Sequence, residues 1–414
     1  MSEGQKRPRK PLDPNSGRAK INQITTDHYA GVWAAKEAGE KIGWCASNFP
    51  QEIFETLGIK VCYPENHAAM VAARGGGERV CTVAEGEGYS PDVCAYSRIS
   101  MGIANGAETP EQPIPLPDFL LCCNNICSVM MKWYENLAHQ LDIPMVFIDI
   151  PFSTEYDPTD EQVAYVRAQF VDAIHQLEEI TGRTWDEDRF QEVMKISNRV
   201  SRAWLKIADY TKYKPSPYNG FDLLNYMAAA VFARGTLQAA DAFETLCSEL
   251  DTAVREGTTT FRGEEQHRIL FEGIACWPYL RVTNQGLRDE GINTVATIYA
   301  NAFAFIYDDF DGMVRRYCEV PNAVNLERSR DQRIGLVRNQ HADGMLVHTN
   351  RSCKMWSGFM AEESRQIGAA CDIPVASFDG DQADPRNFSE AQYLTRVQGL
   401  AEVMSEREGQ HVQH

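Results

Sequence analysis

Two stretches of this chain repeat one another, and that repeat restricts the fold more than any other feature. The first runs Phe119-Leu120-Leu121-Cys122-Cys123, then Asn124-Asn125-Ile126-Cys127, a helical stretch, Asp142-Ile143-Pro144 and the apolar run Met145 to Ile150. The second runs Gly344-Met345-Leu346-Val347-His348, then Asn350-Arg351-Ser352-Cys353, another helical stretch, Asp372-Ile373-Pro374 and Val375 to Phe378. Asn124 and Asn350 stand at the same distance before their cysteines. Short apolar runs alternating with amphipathic stretches imply buried parallel strands with helices on both faces. Ligands of such sheets bind beyond the C-terminal strand ends. Each copy therefore aims a thiol, at a helix N-terminus, toward a crevice of that kind.

The fold class expected is α/β: two doubly wound, parallel-sheet lobes related as a pseudo-repeat, plus a helical region. At 414 residues the chain exceeds one ordinary core. Expected divisions are a flexible N-terminal arm over residues 1–20, a first α/β domain over 21–155, a helical region over 156–260 and a second α/β domain over 261–414. Strands are expected at Lys41 to Cys45, Ile59 to Tyr63, Arg268 to Glu272 and Asn293 to Ile298, besides those of the repeat. Helices are expected at Asp27 to Ala38, Pro50 to Leu57, Asn66 to Arg74 and Ala391 to Glu406. In the middle, Pro158 to Gly182, Asp186 to Tyr210, Phe221 to Arg234 and Thr236 to Glu256 carry helical periodicity, with glycines at three of the stops.

A net charge of -18 argues against nucleic acid as a partner, because phosphate neutralisation needs clustered Lys and Arg. The one basic cluster, Lys6 to Lys10, is proline-rich. No apolar run reaches membrane-spanning length and the start lacks a signal peptide's apolar core, so a cytoplasmic, membrane-free protein is expected. In that compartment 12 cysteines are not a disulfide framework. Cys62, Cys122, Cys247, Cys318 and Cys371 are assigned to packing.

No CxxC, Walker loop or GxGxxG accounts for the remaining thiols; Gly75-Gly76-Gly77 lacks the strand that must precede a dinucleotide loop. One thiol at a helix N-terminus is ordinarily packing or capping geometry. Two at equivalent places in a repeat raise a second reading, a shared metal site. Helix N-termini lower thiol pKa and suit an anionic cluster, and soft thiolates select Zn, Cu(I) or iron–sulfur. The residues alone go no further. Asp379-Gly380-Asp381-Gln382 is read as loop architecture. His67 and His348 are read as structural. For Arg262 and Arg268, contact with CoA phosphates and pairing with Glu264 and Glu265 both stay open.

Several strings then carry a resemblance: Gly43-Trp44-Cys45-Ala46-Ser47-Asn48-Phe49-Pro50, Tyr63-Pro64-Glu65-Asn66, Asp92-Val93-Cys94-Ala95-Tyr96, Leu121-Cys122-Cys123-Asn124-Asn125-Ile126-Cys127, Cys276-Trp277-Pro278-Tyr279, Asn350-Arg351-Ser352-Cys353-Lys354 and Phe378-Asp379-Gly380-Asp381-Gln382. Together they resemble the 2-hydroxyacyl-CoA dehydratases, α-subunit type, over nearly the whole chain. The aryllactyl-CoA (phenyllactyl-CoA) members are nearest, the 2-hydroxyisocaproyl-CoA members next. The resemblance implies a 4Fe-4S cluster held by Cys94, Cys127 and Cys353, its fourth position open to water or substrate. Cys123 is the alternative to Cys127. Glu65 and Ser47 match the family's active-site pair, Glu65 as base and Ser47 as hydrogen-bond partner; solvated turn acid and helix cap are their ordinary readings. The implied partners are a homologous β subunit, an ATP-dependent iron–sulfur activator and an acyl-CoA substrate.

The implied reaction removes an α-hydroxyl and a β-hydrogen from a thioester. The thioester acidifies the α-hydrogen instead, and a pKa shift of even ~5 units does not bridge that gap. A ketyl radical, made by one injected electron, expels the hydroxide and acidifies the β-hydrogen; the electron returns with the enoyl product. Two rivals share the fold: a benzoyl-CoA reductase-like subunit and a non-catalytic, β-like electron relay.

Overall fold

The computed structural model describes residues 12–110 and 113–411. Its eight strands make two four-stranded, all-parallel sheets. The first holds β1 (Ile42–Cys45), β2 (Lys60–Cys62), β3 (Phe119–Cys123) and β4 (Met145–Ile148) in the order β2-β1-β3-β4. The second holds β5 (His267–Glu272), β6 (Ile292–Ala296), β7 (Gly344–Asn350) and β8 (Val375–Gly380) in the order β6-β5-β7-β8. The two orders are the same, so the repeat seen in the sequence is a repeat of topology. In each sheet the winding reverses between the two central strands, β1 beside β3 and β5 beside β7. A crevice opens at such a switch point.

Helices cover these sheets. The first carries α1 (Gly17–Glu37), α2 (Gln51–Leu57), α3 (Pro64–Ala73), α4 (Gly77–Gly86), α5 (Ala95–Ala104) and α6 (Val129–Leu141). The middle of the chain gives α7 (Asp160–Thr181), α8 (Glu187–Asp209), α9 (Asp222–Phe232) and α10 (Leu237–Glu256). With the second sheet come α11 (Leu280–Asp289), α12 (Tyr299–Ala302), α13 (Phe310–Cys318), α14 (Leu326–Asn339), α15 (Lys354–Cys371) and α16 (Glu390–His411). The middle helices start where the sequence puts caps: the side chains of Thr159, Asp186 and Thr236 each accept a first-turn N–H. Among the described residues, no helix is long and apolar enough to cross a membrane.

The strands fall within a residue or two of expectation, and β3 matches it end for end. Two differences stand out. Helix α1 begins at Gly17, well before Asp27, because Ser16 Oγ accepts the Ala19 N–H at 3.2 Å; residues 17–20 are therefore helical and not part of a flexible arm. The Lys6 to Lys10 cluster lies outside the described residues. The segment between Arg74 and Phe119, to which the sequence reading assigns no element, holds α4 and α5. A glycine begins α4 because a Cβ at Gly77 would lie 2.1 Å from the Ala383 carbonyl oxygen.

Both Asp-Ile-Pro strings end a helix. Asp142 (φ 51°) and Asp372 (φ 53°) are left-handed C-caps of α6 and α15, a conformation that a short polar side chain tolerates better than most. One continuous apolar core runs from α1 through the middle helices to one face of the second sheet. A smaller core, with Leu270, Met345, Val347 and Ile367, fills that sheet's other face.

Helix α13 lies in the β6–β7 crossover yet packs on α7, and its Tyr317 ties the regions together. The Tyr317 hydroxyl donates to Glu52 Oε2 at 2.7 Å and accepts from Arg234 Nη2 at 2.7 Å. Burial alone would raise the Glu52 carboxyl. Arg234 and the hydroxyls of Tyr307, Tyr317 and Ser197 outweigh it and hold the group below the usual carboxylate range.

Candidate active site

The cysteines singled out by the sequence come together. Cys94 is the N-cap of α5, Cys353 the N-cap of α15, and Cys127 stands just before Ser128, the N-cap of α6. Two hang from the first lobe and one from the second. All three line one cavity of about 320 Å³, which Ser47 and Glu65 line too. Each is partly exposed, whereas Cys123 is fully buried and turns its thiol to Asn125 Oδ1 at 3.1 Å. Cys127, not Cys123, therefore faces the cavity.

Four of these five residues follow a strand end. Ser47 lies just past β1, Glu65 in the first turn of α3 past β2, Cys127 past β3 and Cys353 past β7. Cys94 comes from the β2–β3 crossover and needs fastening. A buried ion pair does this: Arg98 of α5 meets Asp384, in the loop after β8, at 2.9 Å.

The three sulfurs are electrostatically coupled. Burial pushes the Cys127 thiol up to about 12, with the Cys94 sulfur adding to the rise. Burial also raises Cys353, and Cys94 and Cys127 raise it further. Cys94 rises chiefly by burial, against backbone N–H groups of Tyr96 and Ser97 that favour the thiolate. Backbone N–H groups from the first turns of α6 and α15 face the other two sulfurs in the same way. Without a cation the set is a cage of protonated thiols; a bound one would expel those protons.

The donor set fits a cluster better than a lone ion. Tetrahedral zinc with Zn–S near 2.3 Å brings its sulfurs within about 4 Å of one another. Among the described residues the only group of three or more gathered within 4.8 Å is His267, Asp343 and Glu408. That group sits at the N-terminal ends of β5 and β7, the wrong end for the cavity. The three cysteine sulfurs do not all lie within that spacing, which a single tetrahedral ion requires.

Glu65 is not the solvated turn acid that its position after Pro64 first suggests. Its Oε1 accepts the Ser47 backbone N–H at 3.2 Å, and Oε2 is buried with no partner. Burial pushes the carboxyl up to about 7, the bonds from Ser47 working the other way. Ser47 does not cap α2, whose start carries no side-chain cap. His348 is structural, as expected: it stacks on Phe378, and burial lowers its pKa to about 4. Arg268 is buried in an ion pair with Glu265 and donates to the Gln340 carbonyl at 2.9 Å, so it is not available to CoA.

Aromatic side chains to which the sequence reading gave no role wall the cavity: Tyr96, Trp133, Trp277, Tyr299 and Trp356. The Trp277 indole donates to the Tyr96 hydroxyl at 2.5 Å, and Tyr299 stacks on Trp356. Leu224, Met227, Ala228 and Val231 of α9 close another side. The available signal was positional. Trp277 follows β5 as Ser47 follows β1.

Residues 46–404 match the model of one family, described as 2-hydroxyglutaryl-CoA dehydratase, D-component. The chain is 56% identical to the (R)-phenyllactyl-CoA dehydratase alpha subunit of Clostridium sporogenes, covering 93% of this chain and 94% of that one. It is 44% identical to the (R)-2-hydroxyisocaproyl-CoA dehydratase alpha subunit of Clostridioides difficile, covering 95% and 98%. To the (R)-2-hydroxyglutaryl-CoA dehydratase subunit alpha of Acidaminococcus fermentans it is 42% identical, covering 95% and 98%. With a matching family model over most of its length and these relatives end to end, the chain belongs to the 2-hydroxyglutaryl-CoA dehydratase D-component family.

Proposed function

We propose that the chain is the α subunit of an (R)-2-hydroxyacyl-CoA dehydratase, a hydro-lyase that turns an aryllactyl thioester such as phenyllactyl-CoA into the (E)-2-enoyl thioester and water. The observation that carries this reading is the convergence of Cys94, Cys127, Cys353 and Glu65 on one aromatic-walled cavity. The three thiols would hold a 4Fe-4S cluster, which when bound supplies one electron and an electrophilic iron with an open position. The names of the relatives support the substrate class, and the apolar cavity supports an aryl side chain in particular.

The chain's own residues then have defined tasks. Glu65 Oε2, buried and without a partner, takes the proton from the substrate's β-carbon. A carboxyl poised near neutral pH suits a general base. Ser47 holds Oε1 through its backbone N–H, so the free oxygen keeps one direction. The aromatic wall keeps water from a reactive radical intermediate. The cavity's opposite side, on α9, receives the acyl side chain. The α designation of the relatives supports a second, homologous β subunit. An ATP-hydrolysing iron–sulfur activator would deliver the electron. The reading carries a cytoplasmic site of action, where thiols stay reduced.

Anaerobic purification with the neighbouring subunit, followed by iron and sulfide analysis and a panel of 2-hydroxyacyl-CoA substrates, tests the proposal. Water loss driven by catalytic amounts of electrons is the expected result. Stoichiometric electron consumption would make it a reductase, and a substrate-insensitive cluster would make it a relay.

A further inference from the structure

Gln382 is fully buried in the loop that follows β8. Its Nε2 lies 2.9 Å from Ser352 Oγ and 3.5 Å from Cys94 Sγ, so each of its two amide protons has its own acceptor. Ser352, the residue before Cys353, also accepts the Ala95 N–H at 3.0 Å. Its own N–H donates to Asp381 Oδ2 at 3.0 Å, and Asp381 Oδ1 accepts the N–H groups of Ala383 and Asp384, both at 3.0 Å. The amide is thus held in a rigid frame. It spans the lobe boundary and touches both the Cys94 sulfur and the neighbour of Cys353.

Two further observations separate this contact from packing. Among the described residues, no side chain donates to the sulfur of Cys127 or Cys353, so Cys94 alone receives a side-chain donor. The amide's own oxygen, Oε1, is buried without a partner, a penalty that an apolar side chain of similar shape would avoid. The pair of N–H contacts is what the amide offers in return.

We propose that Gln382 is a positioning residue that sets the reduction potential of the cluster by holding an N–H against the Cys94 sulfur. The inference rests on the cluster reading above. When one electron enters the cluster no bond forms or breaks, and negative charge grows on the ligand sulfurs. A fixed donor stabilises the reduced form more than the oxidised form and raises the potential. The low dielectric of a buried site strengthens the effect.

The test is an anaerobic redox titration, followed by electron paramagnetic resonance, of the full-length chain purified with its partner subunit. Gln382→Leu should keep the iron-to-protein ratio of the unmodified protein. At the unmodified protein's midpoint potential its reduced-to-oxidised ratio should fall about tenfold, a downward shift of about 59 mV for one electron. Gln382→Glu, which loses the donor and adds charge, should shift further down. Iron retained with an unmoved potential would overturn the inference, and so would a Leu variant that loses iron. Should that variant fail to fold, pulsed spectroscopy on unmodified protein labelled with ¹⁵N in its glutamine side chains decides. Coupling of the amide nitrogen to the reduced cluster supports the role, and its absence overturns it. An unmodified chain without iron would remove the cluster reading itself, and this inference with it.

Discussion

The Ser47 backbone N–H and Glu65 Oε1 are joined across 3.2 Å, a link between the loop leaving β1 and the first turn of α3. It leaves the second carboxylate oxygen buried and free. The link makes Glu65 a group with one occupied and one available face. If that free face is the base, kcat/KM should fall about tenfold per unit as pH drops below about 7, where burial has set the carboxyl. Glu65→Gln should lower kcat by about 10²–10⁴-fold with the iron content unchanged. A pH–rate profile and metal analysis on the two proteins check both.

The same carboxyl affects stability in the metal-free chain, and the sign is opposite to that of a salt-bridged acid. Its folded pKa, about 7, lies above the ordinary carboxyl value of 4.5. The folded state therefore binds the proton more tightly, and stability falls as pH rises from about 4.5 to about 7. Glu65→Gln should be more stable than the parent at pH 8, by up to about 3 kcal/mol, and indistinguishable from it near pH 4. Urea titrations at the two pH values are the measurement.

Cys127 and Cys123 give a clean contrast. Cys127 faces the cavity, while Cys123 is buried against Asn125. Cys127→Ser and Cys353→Ala should each abolish stoichiometric iron, and Cys123→Ser should leave it in place. Iron-to-protein ratios after anaerobic purification read this directly.

Ala228 lines the α9 side of the cavity. Ala228→Phe should cut kcat/KM for an aryllactyl thioester by about 10–200-fold, the range for occupying a hydrophobic pocket, and spare lactyl-CoA. An equal loss on both substrates would move the side-chain pocket elsewhere.

Glu52→Ala should destabilise the fold by about 3–5 kcal/mol, since it strands the buried Arg234 guanidinium. Glu52 is held below the ordinary carboxylate range. Its contribution is therefore complete above the unfolded pKa and is lost as pH falls through the folded one. Chemical denaturation at neutral pH measures the first effect, and an acid titration of the parent the second.

How much of this was legible in the sequence depends on the distance over which the information acts. β3 and the helix caps Asp186 and Thr236 are set by residues close together in the chain, and periodicity finds them. The start of α1 is missed because Ser16 caps a helix whose apolar face is too weakly patterned to be seen. The repeated Asn-x-x-Cys pointed to Cys127 and Cys353, but only tertiary packing brings them to one cavity with Cys94. Gln382 is hidden more deeply. Alternate acids in a turn ordinarily bond backbone, which Asp381 does. Nothing local says that the next side chain reaches a sulfur across the boundary.

Cys94 and Cys127 hang from one sheet and Cys353 from the other. A hinge movement of a few ångströms would scatter the three sulfurs before either sheet lost a ladder bond. If the three thiols hold a cluster, it could be gripped only once both halves have folded, which would put loading after folding. By mass action the captured group then works as a clasp, and stripping it out should loosen the seam between the sheets while leaving each sheet whole.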